Sequence, residues 1–125
     1  MRMLLIDVAD PKVKIVDAST LEEYYRLLNC DTIDITIRKI AGEYFDIICD
    51  DEGLLKECPI LSAIYEKSRE PALVGNLLIT GGSCDGELLP ITKEQYQKVR
   101  NKIAYCVNNE LGKVWPMVEL DDSDD

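Results

Sequence analysis

An α+β fold, with a mostly antiparallel sheet of about five to six strands and two principal helices packed on one face, is what this sequence predicts. Three observations lead there. Apolar and polar residues alternate in several short runs, most plainly over 33–38 and 44–49. Short breaks rich in Gly, Asp or Pro separate those runs and suit hairpins. Helical spacing with a capping signal occurs twice, over 20–29 and 93–110, and no strand–helix–strand alternation supports a parallel core.

In chain order, Met3 to Val8 is an apolar run suited to a buried strand. Asp10-Pro11 makes a turn, and Val13 and Ile15 alternate with Lys12 and Lys14 in a second strand. Ser19-Thr20-Leu21-Glu22 has capping-box spacing, with Ser19 as the cap. Leu21, Tyr24, Tyr25 and Leu28 then mark a helical stripe that should stop near Asn29, a residue that tolerates a left-handed cap. The stretch TIDITIRKIAGEYFDIICDDEGLL, from Thr32 to Leu55, reads as two strands across an Ala41-Gly42 turn, ending in an acidic corner at Asp50-Asp51-Glu52.

Pro59 breaks any continuous helix beyond that corner, and Ile60, Leu61, Ile64 and Tyr65 suit a short helix after it. Lys67 to Pro71 is a surface loop. Ala72 to Thr80 is a strand interrupted at Gly75 by a bulge or a close backbone approach. Gly81 to Gly86 holds turns, and Glu87-Leu88-Leu89 suits a last short strand. Thr92 and Gln95 form a second capping box. Tyr96, Val99, Ile103, Cys106 and Val107 supply the stripe of a longer helix, which Gly112 would cap. The expected organisation is therefore one α+β domain over 1–112 and an acidic, disordered tail over 113–125.

Composition narrows the function classes. With 46% apolar residues the chain can build one core, and with only 6% aromatics branched aliphatics must fill it. The net charge of −10 argues against direct nucleic-acid binding and against anionic membrane surfaces. Residues 110–125 hold six acids against Lys113 alone, a net of −5 and half the total. No apolar stretch is long enough to span a membrane, and the first residues do not read as a signal peptide. The five cysteines show no C-x-x-C pair and read as reduced thiols in a cytoplasm. Histidine is absent, which removes His-based catalysis and His metal sites together.

Four features carry candidate chemistry. The corner Asp50, Asp51, Glu52, with Asp46 nearby, lacks the alternating ligands of a calcium loop and reads first as a solvated turn. Gly81-Gly82-Ser83 with Gly86 matches no phosphate-binding motif, and Asp85 and Glu87 would repel an anion. Cys58 and Cys84 lie beside Glu57 and Asp85, which raise a thiol pKa and oppose nucleophilic use. Trp115-Pro116 followed by Asp121, Asp122, Asp124 and Asp125 has two readings. Trp115 either anchors a partner with a basic surface, with the acids steering it, or folds back onto its own core. No cofactor or metal is called for.

The order of STLEEYYRLL, TIDITI, IICDDEGLL, VGNLLITGG and LPITKEQYQKV resembles a small family of uncharacterised domains, labelled only as a domain of unknown function. They recur in bacteriophages, plasmids and conjugative elements, mostly of Gram-positive bacteria. The resemblance covers about residues 3–104. LLKECPILSAIYEKS departs from it, standing where the family continues to an Asn-Arg pair. The resemblance implies a mobile-element setting and supplies no reaction.

The expected function is a non-enzymatic acidic protein that binds a host or phage protein in the bacterial cytoplasm, in counter-defence for example. The candidate contact residues are Trp115, Pro116, Asp121, Asp122, Asp124, Asp125, Asp50, Asp51 and Glu52. The alternative is a small-molecule or nucleotide binder with a pocket on the sheet. A homodimer through a sheet edge is compatible with either.

Overall fold

The computed structural model describes residues 1–56, 59–82 and 86–122. Two sheets stack on each other. The first has five strands, all antiparallel, in the order β2 (Lys12–Asp17), β1 (Arg2–Asp7), β7 (Leu77–Thr80), β4 (Glu43–Asp50), β3 (Ile33–Ile40). The second has four, in the order β6 (Pro71–Val74), β5 (Leu61–Tyr65), β9 (Lys113–Leu120), β8 (Ile103–Asn108). Here β5 runs parallel to β9, and the other pairs are antiparallel. The helices are α1 (Leu21–Leu28) and α2 (Lys93–Arg100), with a 3₁₀ turn at Gly53–Leu55.

The five-stranded sheet is buried on both faces, which explains why β1 reads as continuous apolar chain instead of alternating. Leu4 and Ile6 point into the space between the sheets with Ile47, Ile79 and Val118. Met3 and Leu5 point the other way and pack with Ile48, Leu78 and the α1 residues Tyr24 and Leu28. Val99 of α2 belongs to the intersheet cluster. The broad α+β class holds, and two parts of the expectation are corrected: there are two sheets instead of one, and the helices serve opposite faces of the larger sheet instead of sharing one.

Both expected hairpins of that sheet form, β1 with β2 and β3 with β4. Ala41 and Gly42 take φ of 51° and 83°, the positive pair that a two-residue turn needs to match strand twist. Asn29 ends α1 with φ 53°, as its side chain allows. The cap of α1 is one residue later than expected. Thr20, not Ser19, accepts from the Glu23 N–H, and the Glu23 carboxylate reaches back to the Thr20 hydroxyl at 3.1 Å. The Thr92–Gln95 box forms as read.

Five further expectations are overturned. Leu61–Tyr65 is a strand with Ser62 and Ala63 both fully buried, and its parallel partner β9 lies far along the chain. Gly75 is no bulge: its φ of +77° lets the chain leave one sheet at β6 and enter the other at β7. The helix over 93–110 stops at Arg100, and Ile103-Ala-Tyr-Cys-Val-Asn108 extends as β8, in keeping with its β-branched and aromatic side chains. Gly112 (φ +64°) accordingly turns the β8–β9 hairpin instead of capping a helix. Of Glu87-Leu88-Leu89 only Glu87 makes an isolated bridge.

The largest correction concerns the tail. Residues 113–120 are β9, an internal strand between β5 and β8, with Pro116, Met117, Val118 and Leu120 buried. Pro116 fits there because β9 at that point is paired with β8 alone, the β5 ladder beginning at Val118.

Candidate functional site

The acidic corner is built by the end of β4. Asp50 has its side chain only 6% exposed and is spent on the fold: one oxygen accepts from the Glu52 N–H at 2.9 Å and the other meets Lys56 Nζ at 2.9 Å. Lys56 also donates to the Asn29 carbonyl at 2.8 Å, tying the corner to the end of α1. The hydrogen bond from Lys56 to Asp50 raises the lysine pKa. Gly53 packs closely on β6: a Cβ there would stand 2.9 Å from Val74 Cγ2, so the valine side chain would have to shift.

With Asp50 so engaged, the outward face of the corner is left to its neighbours. Among the described residues Asp51 and Glu52 make no ion pair, and both are exposed. Leu54 and Leu55 are 77% and 83% exposed. A groove of about 300 Å³ lies beside them, lined by Asp34, Cys49, Asp50, Asp51, Glu52, residues 53–55 and Pro71 to Val74 of β6. Because β6 is an edge strand, the groove borders unpaired sheet. The sequence reading singled out the three acids and passed over the two leucines, since an apolar pair after a turn ordinarily enters the core.

The second group of expected contact residues is largely absorbed by the fold. The Trp115 Nε1–H donates to the Leu61 carbonyl at 2.9 Å, and the ring packs on the intersheet core. Pro116 is buried in β9. Asp121 donates its N–H to the Lys39 carbonyl, and its carboxylate accepts from the Gly42 N–H, both at 2.8 Å. Asp122 accepts from the N–H groups of Lys67 at 2.6 Å and Ser68 at 3.0 Å. The Lys67 N–H, with Ser68 assisting, holds the Asp122 carboxyl below its ordinary range. That contact is therefore present above about pH 4 and is lost as pH falls through the lowered pKa. Asp124 and Asp125 lie outside the described residues.

The glycine loop is packed shut where it is described. A Cβ at Gly81 would stand 2.6 Å from both Gln95 Oε1 and the Pro90 carbonyl, and one at Gly82 2.9 Å from the Tyr44 carbonyl. Ser83, Cys84 and Asp85 lie outside the described residues, as do Glu57 and Cys58.

Cys30, Cys49 and Cys106 are free thiols. Burial, with Asp34 assisting, pushes the Cys49 thiol up to about 11, and burial raises Cys30 and Cys106 as well. Thiols held protonated are poor nucleophiles. Native alkylation at pH 8 is expected to label half-buried Cys106 before buried Cys30 and Cys49, with urea exposing the latter two. In the fold Cys49 keeps its proton to about 11, whereas in the unfolded chain it ionises near the ordinary 9.0. Thermal stability should therefore fall as pH rises between those values, and Cys49→Ala should flatten the fall.

Among the described residues no cluster of acids and thiols is spaced to hold a metal ion, and no helix is long and apolar enough to cross a membrane. No curated protein and no solved structure matches the chain. One family does match, over residues 1–104, from β1 into the start of β8. The chain thus belongs to the family described as Domain of unknown function (DUF3846).

Proposed function

We propose that the chain is a non-enzymatic binding protein of a phage or other mobile element, acting in the cytoplasm of a bacterial host, and that it docks a basic segment of a protein partner at the 51–55 corner. One observation carries this reading: two adjacent leucines, 77% and 83% exposed, stand beside two carboxylates that make no ion pair among the described residues, over a groove that borders an edge strand. Exposed apolar side chains in contact with each other mark interaction sites more often than scattered ones do. The acids supply steering and the leucines the anchor.

A nucleotide-binding reading has less support. The groove is at the small end of ligand sites, which begin near roughly 300 Å³. Its charged lining residues are carboxylates, which repel phosphate. The tail acids, expected to steer a partner, carry less of the reading than the corner because Asp121 and Asp122 are bonded within the fold.

The test is affinity capture from host lysate followed by binding measurements on the captured protein. Leu54→Ser with Leu55→Ser should weaken binding by about tenfold or more, chiefly through faster dissociation. Asp51→Lys with Glu52→Lys should slow association and reduce its salt dependence. Both pairs are exposed, so melting temperatures should stay close to the parent's. Binding indifferent to both pairs would remove the corner from the reading.

A further inference from the structure

We infer that two copies of this chain join edge to edge through β3, centred on Thr36, to make one continuous ten-stranded sheet from two five-stranded ones. The argument begins with which groups of β3 are open. Ile40 and Glu43 close the two-residue turn as a hydrogen-bonded pair, so Arg38, Thr36 and Asp34 bond inward to β4. The odd-numbered residues between them direct their N–H and C=O groups away from the sheet. Lys39 bears this out, its carbonyl being taken by the Asp121 N–H from outside the ladder. Ile33, Ile35 and Ile37 remain, and among the described residues the only bond that meets their outward groups is local, the Ile35 N–H to the Asp34 carboxylate at 3.0 Å.

Between Ile33 and Ile37 this edge lacks two of the devices that ordinarily keep sheets apart, a proline and a bulge, and Asp121 covers it at Lys39. It is eight residues long, in unbroken register, with no proline and no bulge. The β6 edge has Pro71 and a register irregularity, and the β2 edge has Lys12 and Lys14 on one face with no acid on that face to oppose them. Ile35 and Ile37 are 46% and 58% exposed, an apolar outlay at the surface.

Charge selects the second copy as the occupant and sets the register. About a two-fold axis at Thr36, Ile35 faces Ile37 of the second copy in both directions, with open N–H and C=O groups opposed. On the other face Asp34 stands opposite Arg38 of the second copy, twice, at the close spacing of a non-hydrogen-bonded pair. Shifting the axis to Ile35 or Ile37 keeps the backbone bonds but sets Asp34 against Thr36 or Ile40. Both charges are available. Among the described residues neither Asp34 nor Arg38 makes an ion pair, and the buried Nε of Arg38 has no acceptor. The remaining edge, β8, holds no charged residue that would fix a register.

Sedimentation equilibrium on the intact chain tests this. The parent should be a dimer whose dissociation is promoted by dilution. Asp34→Arg and Arg38→Asp, each alone, set like charges opposite one another and should weaken association by about tenfold or more. The double exchange restores opposite charges and should restore the dimer. Ile37→Pro removes an outward N–H at an edge position where proline is tolerated, and should give a folded monomer by circular dichroism. A parent that stays monomeric when concentrated overturns the inference. So does a dimer that withstands both single exchanges, or a folded double exchange that stays monomeric.

Discussion

A chain ending at Gly112 is expected to lose cooperative unfolding altogether. The residues it lacks include β9, which lies between β5 and β8 and is the only partner β8 has in the sheet. Met117, Val118 and Leu120 are 0–6% exposed, and Trp115 closes one side of the intersheet core through its bond to Leu61. Burying a large apolar side chain contributes about 1.5–3 kcal/mol. Four such losses rival the net stability of about 5–15 kcal/mol that a domain of this size has. Asp121 and Asp122 go as well, releasing the turn at Gly42 and the backbone at Lys67 and Ser68. The check is a urea titration followed by far-UV circular dichroism. The Gly112 truncation should show a shallow slope with no midpoint, whereas a chain ending at Asp122 should unfold like the parent. Equal, sharp transitions would mean that β9 is an accessory. The contrast matters because the family match stops at residue 104, so in this chain the fold depends on a strand beyond it.

What could be read from sequence was local. The β1–β2 and β3–β4 hairpins were legible because a short turn and period-two alternation set register without distant information. Both helix starts were legible from their capping signals, but the first was read one residue early, at Ser19, since Ser19 and Thr20 each offer a hydroxyl and only the structure shows that Thr20 meets the N–H. The failures were non-local. Ile60, Leu61, Ile64 and Tyr65 satisfy helical spacing, and nothing nearby reveals that β9 waits some fifty residues later as a parallel partner, Ala63 opposite Val118. Ile103, Cys106 and Val107 likewise continue the stripe of α2, and the strand wins because β9 supplies a ladder along its whole length. Acidity then misled the reading of the last residues. Asp121 and Asp122 looked like solvated tail, yet a carboxylate that accepts backbone N–H groups is as structural as a helix cap. At the candidate site the three acids were visible. The division of labour among them was not, since it depends on Lys56 reaching Asp50 and leaving Asp51 and Glu52 unpaired.

Phe45→Ala is expected to cost about 3–5 kcal/mol, the range for emptying a ring-sized site in a core. Phe45 is the only phenylalanine, is fully buried, and points into the intersheet space from the strand that ends at the acidic corner. Its neighbours there are branched aliphatics of two stacked sheets, held by ladders on both sides, so they cannot close over the gap. Two sheets with fixed spacing relax less than a helix that can slide. In a chain of this length such a loss lowers the melting temperature by roughly 10–20 °C. Leu111→Ala removes a side chain that is 66% exposed in the β8–β9 turn and should stay within about 0.5 kcal/mol of the parent. Differential scanning fluorimetry on the three proteins decides the matter. A Phe45→Ala shift as small as that of Leu111→Ala would show that the sheets close on the vacated space, and that the intersheet core, not the hairpin register, is the adaptable part of this fold.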